Sequence, residues 1–150
     1  MGTYITLESV FIKENNPEAH EKLIAILSKH LNQLCPLNNE KPILVVGLGN
    51  SQVTPDSLGP KTVDKILVTR HLKEILPDSI SETVRSVAAL SPGVMGVTGI
   101  ETLEVIKGIV ERIQPQLVIA IDALAARKVS RINTTIQICD TGVAPGGGVG

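Results

Sequence analysis

Aromatic side chains are nearly absent: the chain has one tyrosine, one phenylalanine and no tryptophan. A surface that stacks single-stranded bases has almost nothing to be built from, and any core must be Val, Ile, Leu and Ala. A charge excess is missing too, since 14 Lys and Arg against 15 Asp and Glu leave −1 with histidine neutral. That balance gives no electrostatic case for nucleic acid or an anionic membrane. No apolar run reaches the ~20 residues of a membrane span, and the N-terminus has no basic stretch followed by an apolar one. Cytoplasmic residence is therefore the default expectation. The two cysteines, Cys35 and Cys139, are far apart and lack CxxC spacing, so they read as free thiols. Asn133-Thr134-Thr135 matches a glycosylation acceptor, but without a secretory signal it carries little weight.

What is present is an aliphatic α/β pattern. At 150 residues the chain fits a single domain, residues 1–150, and its 43% hydrophobic content argues against disorder. Tyr4-Ile5-Thr6-Leu7 has strand character and suits an added edge strand. Asn16 and Pro17 suit a helix cap and first helical position, and Leu23, Ile24, Leu27, Leu31 and Leu34 follow at helical spacing. Strands are expected at about 42–48, 83–90 and 117–121, with helices over roughly 58–75 and from Ile100 to Ile113. For the last helix Thr98 and Glu101 read as a capping box. Ile132–Cys139 is a further strand, antiparallel at an edge. The order strand, helix, strand, helix, strand predicts a mainly parallel sheet with helices over it. Gly142–Gly150 reads as a mobile tail.

The chemistry gathers where apolar strands end on acids. Ile43–Pro60 (ILVVGLGNSQVTPDSLGP) breaks at Gly47 and Gly49 and delivers Asp56 into a loop stiffened by Pro55. Leu117–Ile121 runs directly into Asp122. Ligands of open parallel sheets bind at the carboxyl ends of the strands, which is where both acids fall. Taken alone, Asp56 reads more often as a turn or helix-capping residue than as a catalyst. Paired, the two suit acid–base work. Carboxylates about 4 Å apart at an effective dielectric near 20 repel by roughly 4 kcal/mol, about three pK units, and so share a proton. Gly47-Leu48-Gly49 lacks the third glycine of a dinucleotide fingerprint, no Gly-Lys-Ser/Thr follows for a phosphate loop, and no G-x-S-x-G is present. His20, His30 and His71 have no ligand spacing and read as solvated helix positions. No metal and no cofactor are expected. Asn50, Met95 and Arg127 are candidates for substrate contact: Met95 within the apolar Ser91–Gly99 loop, and Arg127 in a basic cluster with Lys128 and Arg131, which solvation also explains.

The motifs VVGLGN…VTPDSLGP, VTRHL, SPGVMGVTGIET, IKGIVE, AIDALAAR and INTTIQICDTGV…GGGVG resemble the spore germination protease family, over about Tyr4 to Gly150. That resemblance implies an atypical aspartic-type endopeptidase with a three-layer α/β/α, hydrogenase-maturation-protease-like fold, incomplete here at the C-terminus. It places the catalytic aspartates at Asp56 and Asp122. It further implies a zymogen that matures by loss of an N-terminal segment and a homotetramer. The substrates it implies are small acid-soluble spore proteins of the spore core. Measured against the family, the chain looks like a fragment without propeptide or C-terminal portion. Two other readings stand beside it: a hydrogenase-maturation-type endopeptidase, and a non-catalytic α/β remnant that only binds or oligomerises.

Overall fold

The strand β2, Ile43–Gly47, is buried at all five positions. Its side chains are apolar throughout because neither face of a central parallel strand meets water. It lies between β3 (Val87–Leu90) and β4 (Leu117–Ile121) in a three-stranded sheet of order β3-β2-β4. Both pairings are parallel, with Val46 opposite Leu90 on one side and Ala120 on the other. The expected strands at 42–48 and 117–121 are thus present. In the computed structural model, which describes residues 2–35, 41–73, 75–78 and 82–143, contacts divide the chain into two compact units. This sheet belongs to the unit of Asn38–Ala123 and Val143–Gly150; the other unit is Met1–Leu37 with Leu124–Gly142.

Within the sheet unit, Leu44, Val46 and Leu48 point to one face. They form the buried core with Ala88 and Leu90 of β3 and with Ile106, Ile109, Val110 and Ile113 of helix α4, Thr102–Ile113. Those four helical positions follow the 3–4 residue spacing of one apolar stripe, which is why this segment is a helix laid on the sheet. Gln114, in the left-handed region at φ 45°, ends it just before Pro115. At Gly47, on the opposite face of β2, a side chain would run into the carbonyl of Gly59 in helix α2, Leu58–Val63.

Three expectations change. The helix expected over 58–75 stops at Val63, with only a short 3-10 turn, Arg70–Leu72, beyond it. Thr69 is the reason: its N–H donates to the Val87 carbonyl at 2.9 Å, its hydroxyl donates to the Arg85 carbonyl, and it accepts the Val87 N–H at 3.0 Å. A buried threonine that satisfies the start of β3 cannot remain in a helix, and the β-branched Val63, Ile66 and Val68 favour leaving it. The second strand consequently begins at Val87, not Thr83. The cap of α4 falls three residues later than expected, at Glu101, whose N–H donates to Glu104 Oε2 at 3.2 Å. Thr98 is occupied elsewhere. It ends the short helix α3, Met95–Thr98, and its hydroxyl accepts the Ile100 N–H at 3.1 Å while Gly99 turns at φ 71°.

In the other unit, β1 (Tyr4–Glu8) and β5 (Thr135–Cys139) form a two-stranded antiparallel sheet, with Leu7 opposite Ile136. The two β segments expected at sheet edges therefore pair with each other. Helix α1, Pro17–Leu34, starts as expected: Pro17 occupies the first turn and Asn16 Oδ1 accepts the Ala19 N–H at 3.1 Å. His20 and His30 lie on α1, and His71 falls in the 3-10 turn. His30 is not a solvated position, because its Nδ1 is buried without a hydrogen-bond partner. Cys35 and Cys139 are free thiols. The tail from 144 onward lies outside the described residues.

Candidate active site

The β2–β4 ladder continues one residue beyond the strands, where the Leu48 N–H donates to the Ile121 carbonyl at 2.8 Å. That bond holds the ends of the two strands together at the point where β4 releases Asp122. Helix α2 can begin directly on these ends because its second residue is glycine. A Cβ at Gly59 would strike the backbone of Leu48 and the Ile121 carbonyl oxygen, and Gly47 meets Gly59 from the strand side. Close approach of backbone to backbone is the use glycine serves here.

The segment between Gly49 and α2 folds back over the strand end. Gly49 takes φ 111°, a conformation that favours glycine, and lies so near Asp56 that a Cβ would meet its carbonyl and carboxylate. Thr54–Asp56 form a single 3-10 turn started by Pro55, and the Asp56 N–H donates to the Val53 carbonyl at 2.9 Å. The Asp56 carboxylate points back into its own loop, where Oδ2 accepts the Asn50 N–H at 2.7 Å. A short bond of this kind to a charged acceptor is among the stronger ones a protein makes. Asn50 in turn uses Oδ1 to accept the Gln52 N–H at 2.9 Å, so its side chain stiffens the loop that carries the acid.

Asp122 is half-buried, and its Oδ1 accepts the following N–H, that of Ala123, at 2.9 Å. Its carboxyl is raised above the ordinary value of 3.8. Burial is the largest cause, the Ala123 N–H works against it, and the charge of Asp56 adds to the rise. Burial and a like charge both disfavour the ionised form. Asp56, distant in sequence, therefore bears on the electrostatics of Asp122 where β4 ends.

A cleft of about 220 Å³ opens beside this loop, lined by Asn50 and Gln52 on one side and by Ser91, Val94 and Val97 on the other. Of the residues expected to contact substrate, Asn50 is in its wall. Met95 is half-exposed on α3, and does not line the cleft itself. Arg127 is exposed and belongs to the other unit, as do Lys128 and Arg131. The sequence reading did not single out Val94, Val97 or Gly59. For the valines the available signal was a Ser91–Gly99 stretch too apolar for a solvated linker; for Gly59 there was only its place next to Asp56. A larger groove, about 480 Å³, runs between β1 and α1 in the other unit. Of the charged residues in its wall, Lys22 Nζ lies 2.7 Å from Glu18 Oε1, and Glu8 lines it as well.

Among the described residues no group of three or more His, Cys, Asp or Glu could hold a metal ion. Among the same residues no helix is long and apolar enough to cross a membrane.

A family model described as germination protease matches residues 1–150. The germination protease of Bacillus pumilus is 55% identical over 152 residues, covering 99% of this chain and 41% of that protein. That of Caldanaerobacter subterraneus is 51% identical over 150 residues, covering 100% of this chain and 46% of its own length. The Bacillus subtilis germination protease is 51% identical over 152 residues, with 99% and 41% covered. The chain thus spans less than half the length of these curated relatives.

Proposed function

The chain belongs to the germination protease family, and from that premise we propose that the whole protein is an endopeptidase whose water-activating couple is Asp56 and Asp122. The substrates we assign to it are the small acid-soluble spore proteins, cut in the spore core during germination. The same reading carries a zymogen, a tetramer and a hydrogenase-maturation-protease-like layering of helices about the parallel sheet.

The observation that supports the couple is the raised carboxyl of Asp122, with burial and the Asp56 charge as causes that act together. We divide the roles accordingly. Asp122 holds the proton, and Asp56, with its carboxylate fixed by the Asn50 N–H at 2.7 Å, is the base. In the first step Asp56 takes a proton from a water whose oxygen attacks the carbonyl carbon of the scissile peptide. Asp122 gives its proton to the carbonyl oxygen, leaving a tetrahedral diol. In the second step the diol returns a proton to Asp122, the C–N bond breaks, and the proton held by Asp56 passes to the departing amine. One acid that gives a proton and one base that takes it are what such a cycle requires.

The test is cleavage of a purified small acid-soluble spore protein by the whole protein. Asp56→Asn and Asp122→Asn are each expected to lower kcat by about 10²–10⁴-fold, the usual contribution of a general acid or base. Cleavage at the original rate by either variant would remove that residue from the mechanism.

A further inference from the structure

Among the described residues, every polar group of Asn50 except Nδ2 is spent inside the loop that carries Asp56. Its N–H donates to Asp56 Oδ2 at 2.7 Å, its Oδ1 accepts the Gln52 N–H at 2.9 Å, and its carbonyl accepts the Val53 N–H at 3.1 Å. The Val53 carbonyl in turn accepts the Asp56 N–H at 2.9 Å. Bonds thus run from Val53 to Asn50, from Asp56 to Val53 and from Asn50 back to Asp56, a closed ring whose first turn is braced by the Asn50 side chain. Asparagine folds a turn in this way by bonding the backbone two positions on. Ser51, Gln52 and Val53 are all exposed, so packing does little to hold that turn once the brace is gone. The ring also leaves the two oxygens of Asp56 unequal. Oδ2 is engaged by Asn50, whereas Oδ1 accepts no hydrogen bond among the described residues. Gly49 keeps Oδ1 uncovered, because a Cβ there would stand 2.9 Å from it. An anchored Oδ2 fixes the direction in which the lone pairs of Oδ1 point.

We infer that Asn50 is the positioning residue for Asp56. Its side chain holds the turn that aims the Asn50 N–H at Oδ2, and Oδ1 is thereby the oxygen that takes the proton from water. The inference rests on the protease reading of the Asp56–Asp122 pair. It adds to that reading the atom that acts and the residue that aims it.

The experiment compares Asn50→Ala and Asn50→Ser, made in the whole protein, for cleavage of a purified small acid-soluble spore protein. Asn50→Ala is expected to lower kcat by about 10–100-fold with KM unchanged, since a ~1 Å misplacement of a reacting group costs up to about 10²-fold. A serine hydroxyl makes the same turn more weakly, so Asn50→Ser is expected to recover part of the loss. In an Asp56→Asn background, Asn50→Ala is expected to lower the residual rate no further, because residues acting as one unit are not additive. Hydrogen exchange of the Gln52 amide reads the brace directly, with protection lost in Asn50→Ala and partly kept in Asn50→Ser. An unchanged kcat in Asn50→Ala would overturn the inference, and a raised KM at unchanged kcat would make Asn50 a substrate contact instead. Equal losses in the alanine and serine variants would overturn it too, as would the same fold-loss in the Asp56→Asn background as in the parent. If Asp56→Asn by itself cleaves like the parent, the protease reading fails first and this inference falls with it.

Discussion

Among the described residues, the central strand of the parallel sheet and the first strand of the antiparallel pair are built from the same aliphatic residues and use them in opposite ways. In the parallel sheet β2 is buried from end to end, whereas β1 of the antiparallel pair alternates exposed and half-buried positions, with Tyr4 60% exposed. A strand covered on both faces has no solvent side on which to carry chemistry, so its polar groups collect where it leaves the sheet. Asp56 lies in the segment after β2, and Asp122 directly follows β4, whose alternate positions Val118 and Ala120 are exposed. A ribbon with one wet face imposes no such restriction, and its one acid, Glu8, is exposed. Close packing of the sheet is therefore also what holds the acids in register, since tight interiors transmit displacement instead of absorbing it.

The comparison can be broken most forcefully at Leu44. Leu44→Ala empties a site that is 1% exposed and is expected to cost about 2–5 kcal/mol. Ile5→Ala, at a half-buried position of β1, is expected to cost about 1 kcal/mol. Urea unfolding of both variants measures the difference, and equal losses would mean that the two sheets are packed alike.

A smaller effect is expected where the backbones touch. Gly59→Ala places a methyl group against Leu48 and Ile121. It should cost about 1–3 kcal/mol and lower cleavage, because the strand ends that carry the acids must part. Gly108→Ala in α4 meets nothing within 4 Å and should gain about 0.5–1 kcal/mol through helix propensity. Similar Tm values for these two variants would show that the contact at Gly59 is slack.

The smallest effect carries a definite sign. Asp122 is raised above 3.8 in the folded protein, so folding takes up protons in the window that starts at 3.8 and extends upward to the raised value. Stability contributed by the protonated form is present in full below that window and is lost as pH rises through it. Asp122→Asn removes the ionisable group and keeps an acceptor for the Ala123 N–H. Its Tm should exceed that of the parent at neutral pH and match it near about pH 3, below the window. A gap that grows towards acid would contradict burial as the main cause.

Much of this arrangement was legible in advance, and the parts that were not share a cause. The Asn16–Pro17 start of α1, the apolar runs of β2 and β4, and the acids at their ends follow from signals contained within a few residues. The early end of α2 does not. It depends on Thr69 bonding to Arg85 and Val87, partners some sixteen to eighteen positions away. The shifted cap of α4 depends on Thr98 being taken by its own short helix and turn. The pairing of β1 with β5 joins residues at opposite ends of the described chain.

Sequence alone determined which residues could be strand or helix, that the core would be aliphatic, and that two acids would sit at strand ends, because each of these follows from local pattern and composition. Only the tertiary structure decided that β2 and β4 are neighbours, that Asp122 is the acid raised by burial and by Asp56, and that a small uncharged cleft adjoins them. Those outcomes depend on how close separate segments come to one another, and desolvation and charge–charge repulsion respond to distance in space, which the order of residues does not specify.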